Sequence, residues 1–426
     1  MRNSARLVLF FLCCSLGSAC AALPDVSKLG SYVVAPSRRP DIVGVQGALP
    51  DAKRQALLQQ MAARTGPTDI LDRHIAAEQA ISAAPLIAGN KVTLLDDGPV
   101  TLRAMMQAMR SARDHIHLET YIIEDDDVGR ALADLLIEKR AAGVQVNLIY
   151  DSVGTLGTPP EFFDRLRTAG VDLLEFNPVD PSKAQGRLEI NRRDHRKLLV
   201  VDGRIAFTGS VNISRAYGKS AALPSWRKEP TSRDANEAAW RDTHMQIEGP
   251  AVADFQTLFI DAWQRKSGKP LSGGSYFPPL RAQGDALVRV IGSSAEKADY
   301  TIYKIYVSSL ANASKYVHLT IAYFVPDRQL IAALKDAARR GVEVTIVFPS
   351  FTDPALILSA NRSFYEELMD AGVKVYETNE ALLHAKTAVI DGVWSTIGSA
   401  NIDMRSSHSL CSVVRAIKVV NSAIRL

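Results

Sequence analysis

Residues 132–151 read LADLLIEKRAAGVQVNLIYD and residues 330–349 read LIAALKDAARRGVEVTIVFP. Each is an amphipathic helical pattern stopped by a glycine, Gly143 or Gly341, and followed at once by a β-branched, apolar run. The resemblance extends outward. HIHLETYII (115–123) corresponds to YVHLTIAYFVPD (316–327), and FFDRLRTAGVDLLEF (162–176) corresponds to FYEELMDAGVKVYET (364–378), again helix, glycine, strand. Strands alternating with helices of about ten to fifteen residues predict an α/β fold with mostly parallel sheets flanked by helices. Because the whole succession occurs twice, it predicts two duplicated lobes packed about a pseudo-two-fold axis. Lobe one is expected over residues 91–268 and lobe two over 285–426, joined by the Gly-, Pro- and Ser-rich linker 269–284. Residues 23–90 form an N-terminal accessory region with helical patterns over Lys53 to Arg64 and Ile70 to Ala84, and Lys219 to Glu237 is a surface insertion in lobe one.

A more specific repeat closes each lobe. Residues 194–214 read DHRKLLVVDGRIAFTGSVNIS and residues 383–403 read LHAKTAVIDGVWSTIGSANID. Counted from His195 and His384, a lysine lies at +2 (Lys197, Lys386), Asp-Gly at +7 and +8 (Asp202, Asp391), Gly-Ser at +14 and +15 (Ser210, Ser399) and asparagine at +17 (Asn212, Asn401). A chain with eight histidines should show one chance H-x-K-x4-D only about a few times per hundred. Two copies with identical downstream spacing are therefore not accidental. Histidine and lysine two apart on an extended strand share a face and meet the same ligand. Asp-Gly supplies a tight turn, and the return strand delivers serine and asparagine as neutral donors for phosphoryl oxygens. Facing each other across the two-fold, the copies would form a site for a phosphodiester, for which neither a metal nor a cofactor is expected. One neutral imidazole would attack phosphorus to give a phosphohistidine, while the other, as imidazolium, would protonate the leaving alkoxide, a role worth roughly 10² to 10⁴ in rate. The lysines would stabilise the non-bridging oxygens.

This duplicated motif resembles that of the phospholipase D superfamily. HIHLETYIIEDDDVG, LIYDSVG, FNPVDP, NRRDHRK, WRDTH (240–244), YFVPD and LLHAK resemble bacterial cardiolipin synthases in particular, over about residues 91–406. The resemblance implies two lobes around one metal-free site, a phosphohistidine intermediate and phosphatidyl transfer between phosphatidylglycerol molecules. It carries the nucleophile role to His195 and the acid role to His384, with Lys197, Lys386, Asp202 and Asp391 in the catalytic set. The odd spacing of Asp202 and Asp391 from their histidines leaves a purely structural turn role open for both. The resemblance also places an imidazole-orienting carboxylate further on, at Asp242 in lobe one. Lobe two departs from the family after Ser406: residues 407–426 contain no Asp or Glu. The second orienting carboxylate and the closing strand and helix are thus expected to be missing, with impaired activity. His117 and His318, in matching strands, are read as core histidines.

Composition bounds the alternatives. The 426 residues are 47% hydrophobic and 23% charged, which is ordinary globular usage. No apolar stretch reaches the roughly eighteen residues of a spanning helix. The net charge of +4, without basic and aromatic residues interleaved, argues against a nucleic-acid partner and suits a phospholipid and a membrane surface; no obligatory protein partner is inferred. Residues 1–22 have a basic start, an apolar run from Leu7 to Leu16 and a small-residue end, the layout of a secretory signal. This predicts export to the bacterial periplasm, either with a lipid on Cys20 or with plain cleavage near Ala19 or Ala22. Three of the four cysteines lie in this segment, so no disulfide framework holds the body. A hydrolytic phospholipase D, a nucleic-acid phosphodiesterase and a non-catalytic lipid-binding protein stand as competing functions.

Overall fold

The computed structural model describes residues 41–65, 68–180, 182, 193–218, 239–267, 269–292, 300–352, 355–379, 381–399 and 409–414. The signal segment with Cys20, the whole 219–237 insertion and Asn401 lie outside the described residues.

A small N-terminal hairpin, β1 (Ile42–Gly44) and β2 (Gly47–Ala48), and helices Asp51–Thr65 and Thr68–Ile81 precede β3 (Leu86–Leu95). Lobe one continues with β4 (His115–Thr120), β5 (Gln145–Asp151), β6 (Asp172–Phe176), β7 (Leu198–Val201), β8 (Ile205–Gly209), β9 (Trp240–Arg241) and β10 (His244–Glu248). Helices Gly98–Ser111, Asp127–Ala141 and Pro160–Thr168 alternate with the early strands, and helix Val252–Ser267 closes the lobe. Lobe two repeats the order with β11 (Ala286–Gly292), β12 (Tyr316–Ile321), β13 (Glu343–Pro349), β14 (Lys374–Thr378), β15 (Leu382–Leu383), β16 (Lys386–Ile390), β17 (Trp394–Gly398) and β18 (Ser409–Val414). The helical patterns begin and stop where the sequence says they should. Asp126 and Asp327 accept the backbone N–H of Gly129 and Leu330 as N-caps, and Gly143 and Gly341 take the left-handed conformation that ends their helices.

The two lobes share one sheet, in the order β14-β13-β12-β16-β17-β18-β11-β3-β10-β8-β7-β4-β5-β6. The halves mirror each other strand for strand about the antiparallel β3–β11 pair. Along this order parallel pairing is confined to the outer strands, β4 with β5 and β5 with β6, and β12 with β13 and β13 with β14, while β1 adds a short parallel pair to β3 off the path. The sheet is therefore mixed rather than mostly parallel. The crossover helices enforce parallel pairing at the edges, while the Asp-Gly turns make antiparallel hairpins of β7–β8 and β16–β17. The expected absence of a closing strand in lobe two is also corrected: β18 lies between β11 and β17, the place β10 holds between β3 and β8.

Apolar layers cover both sheet faces. In lobe one Met109, Leu132, Leu136, Phe163 and Leu166 pack from the helices onto Ile116, Val146, Leu148 and Leu199. In lobe two the accessory helix Thr68–Ile81 joins the core through Ile70, Leu71 and Ile75. It is pinned by polar groups as well: His74 Nε2 meets Asp391 Oδ2 at 3.3 Å, Glu78 accepts from Trp394 Nε1 at 2.6 Å, and Arg289 pairs with Glu78 at 3.2 Å. On the opposite face Val200, Met245, Val288 and Phe259 form a third apolar layer spanning both halves. His117 is buried, stacks on Phe259 and accepts from Gln256 at 2.7 Å, a core histidine as expected. His318 is not one: it is partly exposed and faces Glu343 at 3.5 Å. Among the described residues no helix is long and apolar enough to cross a membrane.

Candidate active site

His195 and Lys197 precede β7, and His384 precedes β16, which Lys386 opens, so the two motifs enter the sheet from the same end of their lobes. The pseudo-two-fold brings them together. The imidazole centroids lie 6.5 Å apart, with ring planes inclined at 62°. Lys197, His384 and Lys386 are buried and His195 is partly so.

Each imidazole is held by the other lobe. The short strands β9 and β15 pair in parallel across the seam, Leu383 opposite Arg241, and the His384 N–H donates to the Arg241 carbonyl at 2.9 Å. That register sets Asp242 beside His384, and its Oδ1 accepts from Nδ1 at 3.0 Å. Asp242 therefore orients the histidine of lobe two, not that of its own lobe. His195 Nδ1 lies 3.1 Å from the backbone carbonyl of Ser399 in lobe two. A carbonyl only accepts, so this contact places the proton on Nδ1 and leaves Nε2 of His195 with its lone pair.

Each ammonium turns back to its own histidine, Lys197 to the His195 carbonyl at 2.7 Å and Lys386 to that of His384. Each also lies over a tyrosine ring, Lys197 above Tyr121 at 5.2 Å and Lys386 above Tyr323 at 5.8 Å. The Tyr121 ring is 4.6 Å from His195, and Trp240 and Tyr323 stand 5.1 and 5.9 Å from His384. These aromatic walls are not singled out in the motif reading. The available signal was that Tyr121 and Tyr323 each follow the first strand of their repeat.

The remaining motif residues take other parts. Ser210 Oγ lies 3.1 Å from the Thr243 carbonyl and accepts its N–H at 3.2 Å. Asn212 accepts from the Ile122 N–H at 3.2 Å and donates to Tyr217 at 2.7 Å. Both are buried and knit the loop after β8 to its neighbours, so the groups expected to meet phosphate are here bonded within the protein. Ser399 contributes its carbonyl to His195. The catalytic reading of Asp202 and Asp391 is corrected. They sit in the turns after β7 and β16 with φ of 53° and 58°. Asp202 accepts the N–H groups of Arg113, Asp114 and His115, and Asp391 those of Ser314, Lys315 and Tyr316. The length of an intervening strand, four residues or about 13 Å in β7, separates each from its motif lysine.

Burial dominates the electrostatics. It drives the His195 imidazole and the Lys197 ammonium well below their ordinary ranges, aided by repulsion from neighbouring lysines. Burial and Lys386 lower His384 to about 4 against the pull of Asp242. Burial pushes Asp242 up, but His384, Lys386 and Ser210 together outweigh it and hold the carboxyl below the usual range. The cluster is short of negative charge, and a phosphodiester between the rings would supply it. Among the described residues no group of three His, Cys, Asp or Glu side chains converges as a metal site would require.

Comparison with known proteins agrees with this geometry. Residues 105–220 and 306–418 match the family model described as cardiolipin synthase, PLD-like domain. The chain is 34% identical over 361 residues to the cardiolipin synthase of Alkalihalophilus pseudofirmus, covering 84% of this chain and 68% of that protein. It is 34% identical to the cardiolipin synthase of Geobacillus thermodenitrificans, covering 77% and 63%, and 31% identical to the probable cardiolipin synthase YwiE of Bacillus subtilis, covering 74% and 60%. The chain thus spans about two thirds or slightly less of these relatives. In fold it is similar to the crystal structure of phosphatidylserine synthase from Haemophilus influenzae, with a TM-score of 0.60, 14% identity and coverage of 83% of this chain and 88% of that one.

Proposed function

The chain belongs to the PLD-like cardiolipin synthase family, and from that premise we propose that it is a phosphatidyltransferase joining phosphatidylglycerol molecules through a phosphohistidine on His195. The observation that carries the proposal is the convergence of His195 and His384 at 6.5 Å, with a lysine beside each.

The two Nδ1 partners divide the labour. The Ser399 carbonyl supports a neutral His195 with Nε2 free, and the Asp242 carboxylate supports a charged His384. His195 Nε2 attacks phosphorus, the bond from phosphorus to the glycerol oxygen breaks, and His384 gives its Nε2 proton to that oxygen, releasing glycerol. The negative charge of the bound phosphodiester and of Asp242 holds the proton on His384 until it is needed. The hydroxyl of a second phosphatidylglycerol then returns a proton to His384 and attacks phosphorus, and the phosphorus–nitrogen bond breaks. Lys197 and Lys386 neutralise the non-bridging oxygens, and the Tyr121, Tyr323 and Trp240 walls restrict water at the reacting centre. A substrate with two acyl chains places the reaction at a membrane surface. Export and an anchor at Cys20 rest on the sequence of residues 1–22 alone.

The test is incubation of the purified chain with phosphatidylglycerol vesicles and, separately, with single-stranded DNA. Cardiolipin and free glycerol in equal amounts are expected. Phosphatidic acid as the main product would make the chain a hydrolase, and shortened DNA with intact lipid would overturn the lipid reading.

A further inference from the structure

The segment that presents His195 rests on charged groups, whereas the segment that presents His384 rests on uncharged ones. Asp194 and Arg196 flank His195 and face away from it, as alternation along an extended chain requires. Both are buried. Arg196 Nη2 lies 2.8 Å from Glu119 Oε1 on β4 and 3.2 Å from Asp194 Oδ2, and its Nε lies 3.2 Å from Asp194 Oδ1. The Arg196 N–H also donates to Asp194 Oδ1 at 3.0 Å. Behind them the buried Asp151, at the end of β5, accepts the Asp194 N–H at 2.8 Å and the Val153 N–H at 2.8 Å. The equivalent positions in lobe two are Leu383, Ala385, Thr320 and Pro349.

Burying a guanidinium with two carboxyl groups costs desolvation free energy that lobe two, with Leu383, Ala385 and Thr320 at the equivalent positions, does not incur. The difference coincides with what each imidazole lacks. His384 has a carboxylate to fix its ring, while His195 has a backbone carbonyl across the lobe seam. We propose that Glu119, Arg196 and Asp194 are positioning residues for His195, a buried ionic cradle that fixes the backbone beneath the nucleophile and so its angle of attack. The inference rests on the reading of His195 as nucleophile. Burial raises the Glu119 carboxyl well above the ordinary range, with Asp194 adding to the rise and Arg196 opposing it; Asp194 is lowered, because Arg196 and its hydrogen bonds outweigh burial. The amide of glutamine has the same shape and keeps an acceptor oxygen for the Arg196 Nη2 that lies 2.8 Å from Glu119 Oε1, so it should replace Glu119 well.

The experiment measures kcat, KM and melting temperature of the full chain on phosphatidylglycerol vesicles for Arg196→Met, Glu119→Leu, Glu119→Gln and His195→Ala. Arg196→Met and Glu119→Leu should lower kcat by about 30- to 100-fold with KM changed less than about threefold, the loss expected when a reacting group is misplaced by a fraction of an ångström to one ångström. Glu119→Gln should recover most of the kcat lost in Glu119→Leu. The inference is overturned if soluble, folded Arg196→Met and Glu119→Leu keep wild-type kcat, or if they lose only melting temperature. It is overturned equally if Glu119→Gln is as poor as Glu119→Leu. His195→Ala separates the two levels: full turnover in that variant defeats the nucleophile assignment itself, whereas its inactivity alongside unaffected cradle variants defeats the cradle alone.

Discussion

The two lobes present the same His–Lys pair, each lysine over a tyrosine ring, and differ in what lies beneath the histidine and what holds its Nδ1. In lobe one the histidine sits over an ionic cradle and gives its Nδ1 proton to a carbonyl; in lobe two it sits over Leu383 and Ala385 and gives its Nδ1 proton to Asp242. A neutral carbonyl favours imidazolium only weakly, too little to offset burial, while a carboxylate adds a full charge in its favour. Duplication supplied two copies of one residue, and divergence of their partners fits one to be the base and nucleophile and the other to be the acid.

The sharpest way to break that comparison is to remove each histidine in turn. His195→Ala should lower turnover by at least about 10⁴-fold with any leaving group, because no covalent intermediate can form. His384→Ala should cost about 10² to 10⁴ with a glycerol leaving group and far less with a phosphatidyl ester of p-nitrophenol, which departs without a proton. Equal losses of the two variants on the activated ester would show that the roles are not divided in this way.

Next in size is Asp242→Asn. The amide oxygen still accepts from Nδ1, but the charge that raises the proton affinity of His384 is gone. Turnover at neutral pH should fall about 10²-fold, and the pH above which activity is lost should move downward, since the acid then loses its proton sooner. A pH–rate profile with an unshifted alkaline limb would remove Asp242 from its assigned part.

The duplication, the twin motif and the meeting of His195 with His384 were legible in the sequence, because all three depend on local period and on exact spacing. The partner of Asp242 was not. Its carboxylate reaches a histidine 142 residues away through the β9–β15 pair, and strands of two residues leave no periodic trace. The antiparallel share of the sheet was misjudged for a related reason: the helical crossovers are long and conspicuous, while the Asp-Gly hairpins occupy two residues each. The phosphate role assigned to Ser210 and Asn212 followed from donor chemistry alone, and their bonds to Thr243, Ile122 and Tyr217 became visible only in the packed structure. The odd spacing of Asp202 and Asp391, by contrast, pointed to the turn they occupy.

The buried site should also register in stability. Burial holds His384 at about 4, and His244, at the start of β10, at about 3, both below the ordinary imidazole value of about 6.5. Groups with lowered folded-state affinity stay neutral in the fold while the unfolded chain takes up protons below about pH 6.5. Stability should therefore fall as pH drops from about 6.5 toward 4, by about 3 kcal/mol for His384, and its share should level off below that. Asp242, whose folded-state affinity is also lowered, acts in the same direction, but its share is lost only below the usual carboxylate range and lies outside this window. Urea unfolding of wild type and His384→Ala between pH 4 and 7 checks the sign: the variant should show a shallower slope, and an identical slope would contradict a neutral, buried His384.

The smallest effect separates the two turn aspartates. Both carboxylates bind three successive backbone N–H groups, at 2.8 to 3.0 Å for Asp202 and 2.7 to 3.0 Å for Asp391, and both backbones adopt a left-handed conformation that asparagine tolerates. Substitution by asparagine removes the charge and replaces one acceptor oxygen with a donor, so Asp202→Asn should cost about 1 to 2 kcal/mol of stability and leave kcat of the folded enzyme within about twofold. Asp391→Asn should cost more. Asp391 is the more buried, and it also holds His74 Nε2 at 3.3 Å, so its loss loosens the accessory helix Thr68–Ile81 from lobe two and should expose that helix to protease. Melting curves, limited proteolysis and turnover on the same preparations decide the matter. A tenfold drop in kcat for Asp202→Asn at unchanged melting temperature would return that residue to the chemistry, and equal melting losses for the two variants would mean that His74 adds nothing to the hold of Asp391 on its turn.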